Sequence, residues 1–118
     1  MIALRHSRPA VAEGVCYGRT DLALAEDFDA VLTAILAGLP AVGAVRSSPL
    51  GRCLRLAEAI AAARGLPVET DPRLMEMDFG RWETRAWSAI PRPELDAWAA
   101  DFDHARPHGG ESVAMLAA

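Results

Sequence analysis

The sequence predicts an α/β fold with a mainly parallel sheet. Two observations carry that expectation. Short apolar runs alternate with stretches whose apolar residues recur at helical spacing, in the order strand, helix, strand, helix, strand, helix. Gly or Pro marks most of the switches between them. A single domain over residues 1–118 is expected, since that length suits one domain and neither a repeat nor a low-complexity linker interrupts it.

Each element follows from its own pattern. Residues 1–5, Met1-Ile2-Ala3-Leu4-Arg5, are a short apolar run and read as a buried strand. From His6 to Leu24 there is no helical period, and Pro9, Gly14 and Gly18 punctuate the segment. It reads as a long loop, and such loops in compact domains are usually either functional or disordered. Phe28, Val31, Leu32, Ile35, Leu36 and Leu39 then recur at i, i+3, i+4, i+7, i+8 and i+11, which predicts a helix from Glu26. Glu26, Asp27 and Asp29 occupy its first turn, where the helix dipole favours anions, and Gly38 and Pro40 mark its end.

Val42–Arg46 reads as a second strand. Ser47-Ser48-Pro49 offers an N-cap and a first-turn proline for a second helix, which runs to about Arg64 with Leu50, Leu54, Ala57, Ile60 and Ala61 inside. Gly65 and Pro67 stop it, and Pro67–Thr70 is a brief third strand. Residues 71–93 are irregular. Glu94–His104 is helical again, with Leu95, Trp98, Ala99 and Phe102 in phase. Gly109-Gly110 breaks the chain, and Ser112 caps a final apolar stretch, Val113–Ala118.

Composition narrows the function. The 118 residues are 52% hydrophobic and 24% charged, ample for one core. A chain this long buries roughly two-thirds of its unfolded surface. A net charge of −4 and a pI of about 5.3 argue against a nucleic-acid partner. No apolar run approaches the ~20 residues of a membrane span. The N-terminus lacks a basic segment followed by an apolar one. A cytoplasmic location without a membrane partner is therefore expected. Cys16 and Cys53 are too few for a disulfide scaffold and read as reduced thiols. No His, Cys, Asp or Glu group has metal-ligand spacing, so neither metal nor cofactor is expected. All twelve cationic residues are Arg, whose planar guanidinium suits bidentate binding of phosphate or carboxylate.

Ligands of open α/β sheets bind beyond the carboxyl ends of the strands. Two loops leave those ends. One begins Arg5-His6-Ser7-Arg8; the other is Arg46-Ser47-Ser48-Pro49, leading into a helix with Arg52 in its first turn. Arg5, His6 and Arg52 are thus expected at one crevice, beside a helix N-terminus that favours an anion such as phosphate. A histidine there is a candidate nucleophile that would form a phosphohistidine. The bland alternative is a loop histidine among solvated arginines.

The motifs favour the sharper reading. Leu4-Arg5-His6, followed by Gly14-Val15-Cys16-Tyr17-Gly18-Arg19-Thr20-Asp21-Leu22-Ala23-Leu24, resembles the opening of the histidine phosphatase (phosphoglycerate mutase-like) superfamily. Ser47-Ser48-Pro49-Leu50-Gly51-Arg52 resembles its second motif, Leu74-Met75-Glu76-Met77-Asp78-Phe79-Gly80-Arg81-Trp82-Glu83 its third and Gly109-Gly110-Glu111-Ser112 its fourth. The resemblance implies a three-layer α/β/α, phosphoglycerate mutase-like fold.

It also implies roles. His6 would attack phosphorus, Arg5 and Arg52 would hold the non-bridging oxygens, and Glu76 would protonate the leaving oxygen. Glu83 is the competitor for that acid role. Gly18 and Thr20 would line the mouth of the pocket, by resemblance, against the reading of a plain turn. Tyr17 and Trp82 are either base-stacking or core aromatics. The Cys-Tyr-Gly-Arg-Thr-Asp run is most similar to α-ribazole phosphatases, and the short spacing from Glu76 to Gly110 favours phosphatase over mutase. The implied function is a phosphomonoesterase acting on a small phosphorylated metabolite, α-ribazole 5'-phosphate in the first instance. The alternatives are a phosphate-binding module without turnover, an inactive fragment of a longer phosphatase, and a mutase.

The chain departs from the family pattern at three places. Ser7 stands where the family has Gly after Arg-His, and Thr84 stands where Gly follows the third-motif Glu. The family's second catalytic histidine, on a His-Gly pair ending a later buried strand, has no counterpart. His108-Gly109-Gly110 matches it by letter, but Asp101–Pro107 is too polar and proline-broken to be that strand. His108 therefore reads as part of the Gly-Gly-Glu-Ser loop, with His104 nearby. The C-terminal part of the fold is expected to lie outside these residues. The first strand would then expose an unpaired edge that invites self-association into a homo-oligomer.

Overall fold

The structure, a computed structural model, describes residues 1–118. The chain forms two compact units: Met1–Val11 with Asp21–Met75, and Ala12–Thr20 with Glu76–Ala118.

In the first unit, the i, i+3, i+4 pattern produces α1 (Phe28–Gly38), with Asp29 in its first turn. After it come β1 (Val45–Ser47), α2 (Gly51–Arg64) and β2 (Val68–Thr70). The strands pair in parallel with Val45 opposite Val68, as a β-α-β crossover requires. Arg46 Nε and Glu69 Oε2, also cross-strand partners, lie 3.0 Å apart. Phe28, Leu56 and Ile60 form the core, ringed by Leu24, Leu32, Ile35, Leu36, Leu39 and Val45. Gly65 ends α2 in the left-handed conformation, its N–H donating to Ala61 and Ala62 carbonyls.

Three expectations change here. Residues 1–5 form no strand: the sheet contains β1 and β2, and Met1, Ile2 and Leu4 are exposed. An apolar run supplies propensity, but a strand exists only through a hydrogen-bonded neighbour. The first pairing comes later, in the expected loop, where Pro9 and Leu24 form an antiparallel bridge flanked by Ala10 N–H to Ala23 O and Ala25 N–H to Arg8 O. The second helix starts at Gly51, after Pro49. Asp21 Oδ1 accepts from the Gly51 N–H at 2.8 Å, while Ser48 Oγ accepts from the Leu50 N–H at 3.2 Å. A cap delivered from the preceding loop leaves no local signature. The inner face of α2 also carries Leu56, with Leu54 half-buried.

The second unit is mostly irregular. Val15 and Ala86 form an antiparallel bridge, extended by Cys16 N–H to Arg85 O and Thr84 N–H to Cys16 O. Short 3-10 turns cover Gly80–Trp82 and Trp87–Ala89. The expected helix at Glu94–His104 is α3 (Arg92–Ala100), which starts earlier because proline fits a helix's first turn. It stops earlier too, at Asp101. The last helix, α4 (Val113–Ala117), is capped as expected: Ser112 Oγ accepts from the Met115 N–H. Cys16, Trp82 and Ile90 form the core, packed by Phe79, Trp87, Leu95 and Trp98. Trp82 stands edge-on to Trp98, with ring centroids 5.4 Å apart. Trp82 is therefore a core residue, fully enclosed at 0% exposure.

Candidate functional site

The first unit holds Arg5, His6 and Arg52. His6 is half-buried, and its Nδ1 lies 2.7 Å from the Ser7 carbonyl oxygen. A carbonyl only accepts, so Nδ1 carries a proton, and in the neutral ring the lone pair falls on Nε2. That is the tautomer in which Nε2 is the nucleophilic nitrogen. Arg5, beside it, is exposed. Ser7 is buried, and its hydroxyl has no hydrogen-bond partner. Ser47 and Ser48 are buried at the end of β1. Arg52 stands in the first turn of α2, as the sequence predicts, and is only 1% exposed. A guanidinium does not lose its charge on burial, so Arg52 is a fixed cation.

The second unit holds Gly18, Thr20 and Glu76. Gly18 and Thr20 belong to a loop wrapped around the Glu83 carboxylate. Glu83 Oε1 accepts from Gly18 N–H (2.7 Å), Thr20 Oγ1–H (2.7 Å) and Thr20 N–H (3.2 Å). Its Oε2 accepts from Phe79 N–H (2.9 Å) and Arg19 N–H (3.3 Å). Burial pushes the Glu83 pKa up, but the bonds from Gly18, Thr20 and Phe79 together outweigh it and hold it below the ordinary value. With its two oxygens accepting five hydrogen bonds, Glu83 is the acceptor that holds this loop, an arrangement that disfavours it as a proton donor. Gly18 has a packing reason of its own. A Cβ there would lie 1.8 Å from the Met77 carbonyl oxygen.

Glu76 is exposed, and its Oε1 lies 3.4 Å from the Met77 nitrogen. Its carbonyl accepts from Arg19 Nε at 3.4 Å. Two residues on, Glu111 binds Asp78 twice: Oε2 accepts from Asp78 N–H (3.0 Å), and the Glu111 N–H donates to Asp78 O (2.8 Å). This close approach leaves no room at Gly110, where a Cβ would meet Asp78 O at 2.1 Å. His108 is 0% exposed, edge-on to Trp82 with centroids 4.8 Å apart. Its Nδ1 accepts from the Gly110 N–H at 2.9 Å, which fixes the neutral Nε2–H tautomer. Burial lowers its pKa, as do Arg106 and Arg81, against opposing pulls from Asp78 and Glu83. His108 thus serves the Gly-Gly-Glu-Ser loop as a structural group, and His104 is exposed beside Asp101. Cys16 is an inert thiol, its pKa raised to about 12 by burial and by Glu83. No cluster of three His, Cys, Asp or Glu side chains is arranged to hold a metal ion.

Sequence reasoning missed the structural roles of Glu83, Glu111 and Arg19. All three sit inside quoted motifs, so their positions were visible while their partners were not.

Comparison with known proteins matches the chain to a family. A family model described as histidine phosphatase superfamily (branch 1) matches residues 1–118. The probable phosphoglycerate mutase GpmB of Yersinia enterocolitica is 40% identical over 74 residues, 59% of this chain and 34% of that protein. The adenosylcobalamin/alpha-ribazole phosphatase of Escherichia coli K12 is 37% identical over 70 residues, 57% of this chain and 34% of that protein. Among solved structures, TTHB049 from Thermus thermophilus superposes with a TM-score of 0.76 at 30% identity, covering 96% of this chain and 64% of that one. A mycobacterial glucosyl-3-phosphoglycerate phosphatase follows at 0.70 and 26%, covering 95% and 55%. The matches thus span about a third of the curated relatives' length. The α/β, phosphoglycerate mutase-like fold expected from the sequence is the fold of these neighbours.

Proposed function

Because the chain belongs to the histidine phosphatase superfamily, we propose that it acts as a phosphomonoesterase through a phosphohistidine at His6. The observation that carries this reading is the His6 tautomer. With Nδ1–H held on the Ser7 carbonyl, the lone pair lies on Nε2, where a nucleophile needs it. The Nε2–P bond forms as the P–O ester bond breaks, and Glu76 gives its proton to the leaving oxygen. Water then attacks phosphorus, the N–P bond breaks, Glu76 recovers a proton, and inorganic phosphate leaves. Arg5 and Arg52 supply the positive charge that the equatorial oxygens require. No helix of the chain is long and apolar enough to cross a membrane.

The finer reading is α-ribazole 5'-phosphate. It is supported by the Cys16-Tyr17-Gly18-Arg19-Thr20-Asp21 run and by similarity to the Escherichia coli phosphatase named for that substrate. The mutase reading has support of its own, in the similarity to GpmB.

Hydrolysis of p-nitrophenyl phosphate in the presence of EDTA tests the proposal, with His6→Ala as the control. Turnover that disappears in the variant is expected. Stabilisation by vanadate without turnover would instead favour a phosphate-binding module. Phosphate release from α-ribazole 5'-phosphate, compared with phosphoryl exchange on phosphoglycerate, separates the two finer readings.

A further inference from the structure

Glu76 is held by its main chain, and the holding groups come from two loops distant in sequence. Arg19 NH2 and Glu111 Oε1 form an ion pair at 2.8 Å. Arg19 Nε reaches the Glu76 carbonyl, and the other Glu111 oxygen takes the Asp78 N–H. The Glu111 N–H closes on Asp78 O. Three main-chain atoms of Glu76–Asp78 are thereby engaged. Behind Arg19, the Gly18–Thr20 backbone is anchored on Glu83, so the guanidinium projects from a fixed base. Met77, between the two held residues, is buried. An exposed carboxyl on a clamped backbone is the arrangement that proton delivery to a fixed oxygen requires.

We infer that Arg19 and Glu111 are positioning residues, a charged clasp that holds the Glu76 segment so that its carboxyl is presented for proton donation. The inference rests on the phosphatase reading. It extends that reading to two residues that neither attack phosphorus nor hold the phosphoryl group. The planar guanidinium is essential, because one side chain must donate at two angles, to a carbonyl through Nε and to a carboxylate through NH2. Lysine carries its N–H donors on one nitrogen and does not reproduce the two separated donor positions.

Two measurements on the full chain decide it. The first is backbone amide hydrogen exchange in Arg19→Ala, Arg19→Lys and Glu111→Gln. Exchange at Asp78 and Glu111 should rise by about threefold or more in each, with α2 and α3 amides unchanged. Unchanged exchange at Asp78 and Glu111, or a uniform rise across the second unit, would overturn the clasp. The second is turnover of two substrates. Glycerol 2-phosphate has a poor leaving group that needs an acid, whereas p-nitrophenyl phosphate does not. Arg19→Ala should raise the ratio of kcat on p-nitrophenyl phosphate to kcat on glycerol 2-phosphate roughly tenfold, with KM little altered, in the direction of Glu76→Gln. A parallel loss on both substrates would make the pair merely structural and sink the inference. If the unsubstituted chain hydrolyses neither ester, the phosphatase reading itself has failed and the positioning role falls with it. Active protein without the ratio change condemns the clasp alone.

Discussion

Glu83 Oε1 lies 2.7 Å from the Gly18 amide nitrogen, although the two residues are 65 positions apart. The carboxylate is the acceptor around which the Gly18–Thr20 loop is folded, and its charge is part of that loop's stability. Its folded pKa is lowered, so its contribution is fully present above the ordinary carboxylate pKa and is lost as pH falls through the lowered value. Glu83→Gln should cost about 2 kcal/mol at neutral pH. Urea denaturation at neutral pH and near pH 4 checks this, since the gap between the two proteins should narrow in acid.

His108 sets a second, higher window. Its folded pKa is also lowered, chiefly by burial, so the unfolded chain takes up its proton first. Asp78 and Glu83 soften the effect, and Arg81 and Arg106 reinforce it. Stability should therefore fall as pH drops from the ordinary histidine value toward the lowered one. Melting temperatures recorded between about pH 7 and pH 5 should decline in the unsubstituted chain, and the decline should flatten in His108→Asn.

Thr84 adopts φ 64°, the left-handed region that a β-branched residue tolerates poorly. The family pattern has Gly here, and the backbone has kept the conformation that Gly would choose. Thr84→Gly should stabilise the chain by about 1 kcal/mol, less what is lost with the Thr84 hydroxyl bond to the Glu83 carbonyl. Chemical denaturation measures it; a loss of stability would count against the strain.

Gly18→Ala should do the reverse. The new methyl would meet the Met77 carbonyl and the Phe79 ring, and main chain yields at higher cost than a side chain. A loss of roughly 1–3 kcal/mol is expected. The same denaturation experiment, with amide exchange at Gly18 and Thr20, should show the damage centred on the loop.

Much of this was legible from residue order. Helical spacing located α1, the Gly-Pro punctuation bracketed α2 and β2, and Ser112 was recognisable as the cap of α4. Arg52 fell in the first turn of α2, where the motif placed it. Periodicity and capping act over a few residues, so they leave local traces. Residues 1–5 had the apolar character of a strand without the neighbour that makes one.

Residue order alone identifies the family and the order of the motifs, and it proposes His6 as the nucleophile and Glu76 as the acid. The tertiary structure alone decided which tautomer His6 adopts, that Asp21 caps α2 across 30 residues, that Glu83 is a structural acceptor, and that Arg19 meets Glu111 across 92. A carboxylate in the sequence is a charge without a partner, and its role as acid, cap or anchor depends on which donors folding brings within about 3 Å of it.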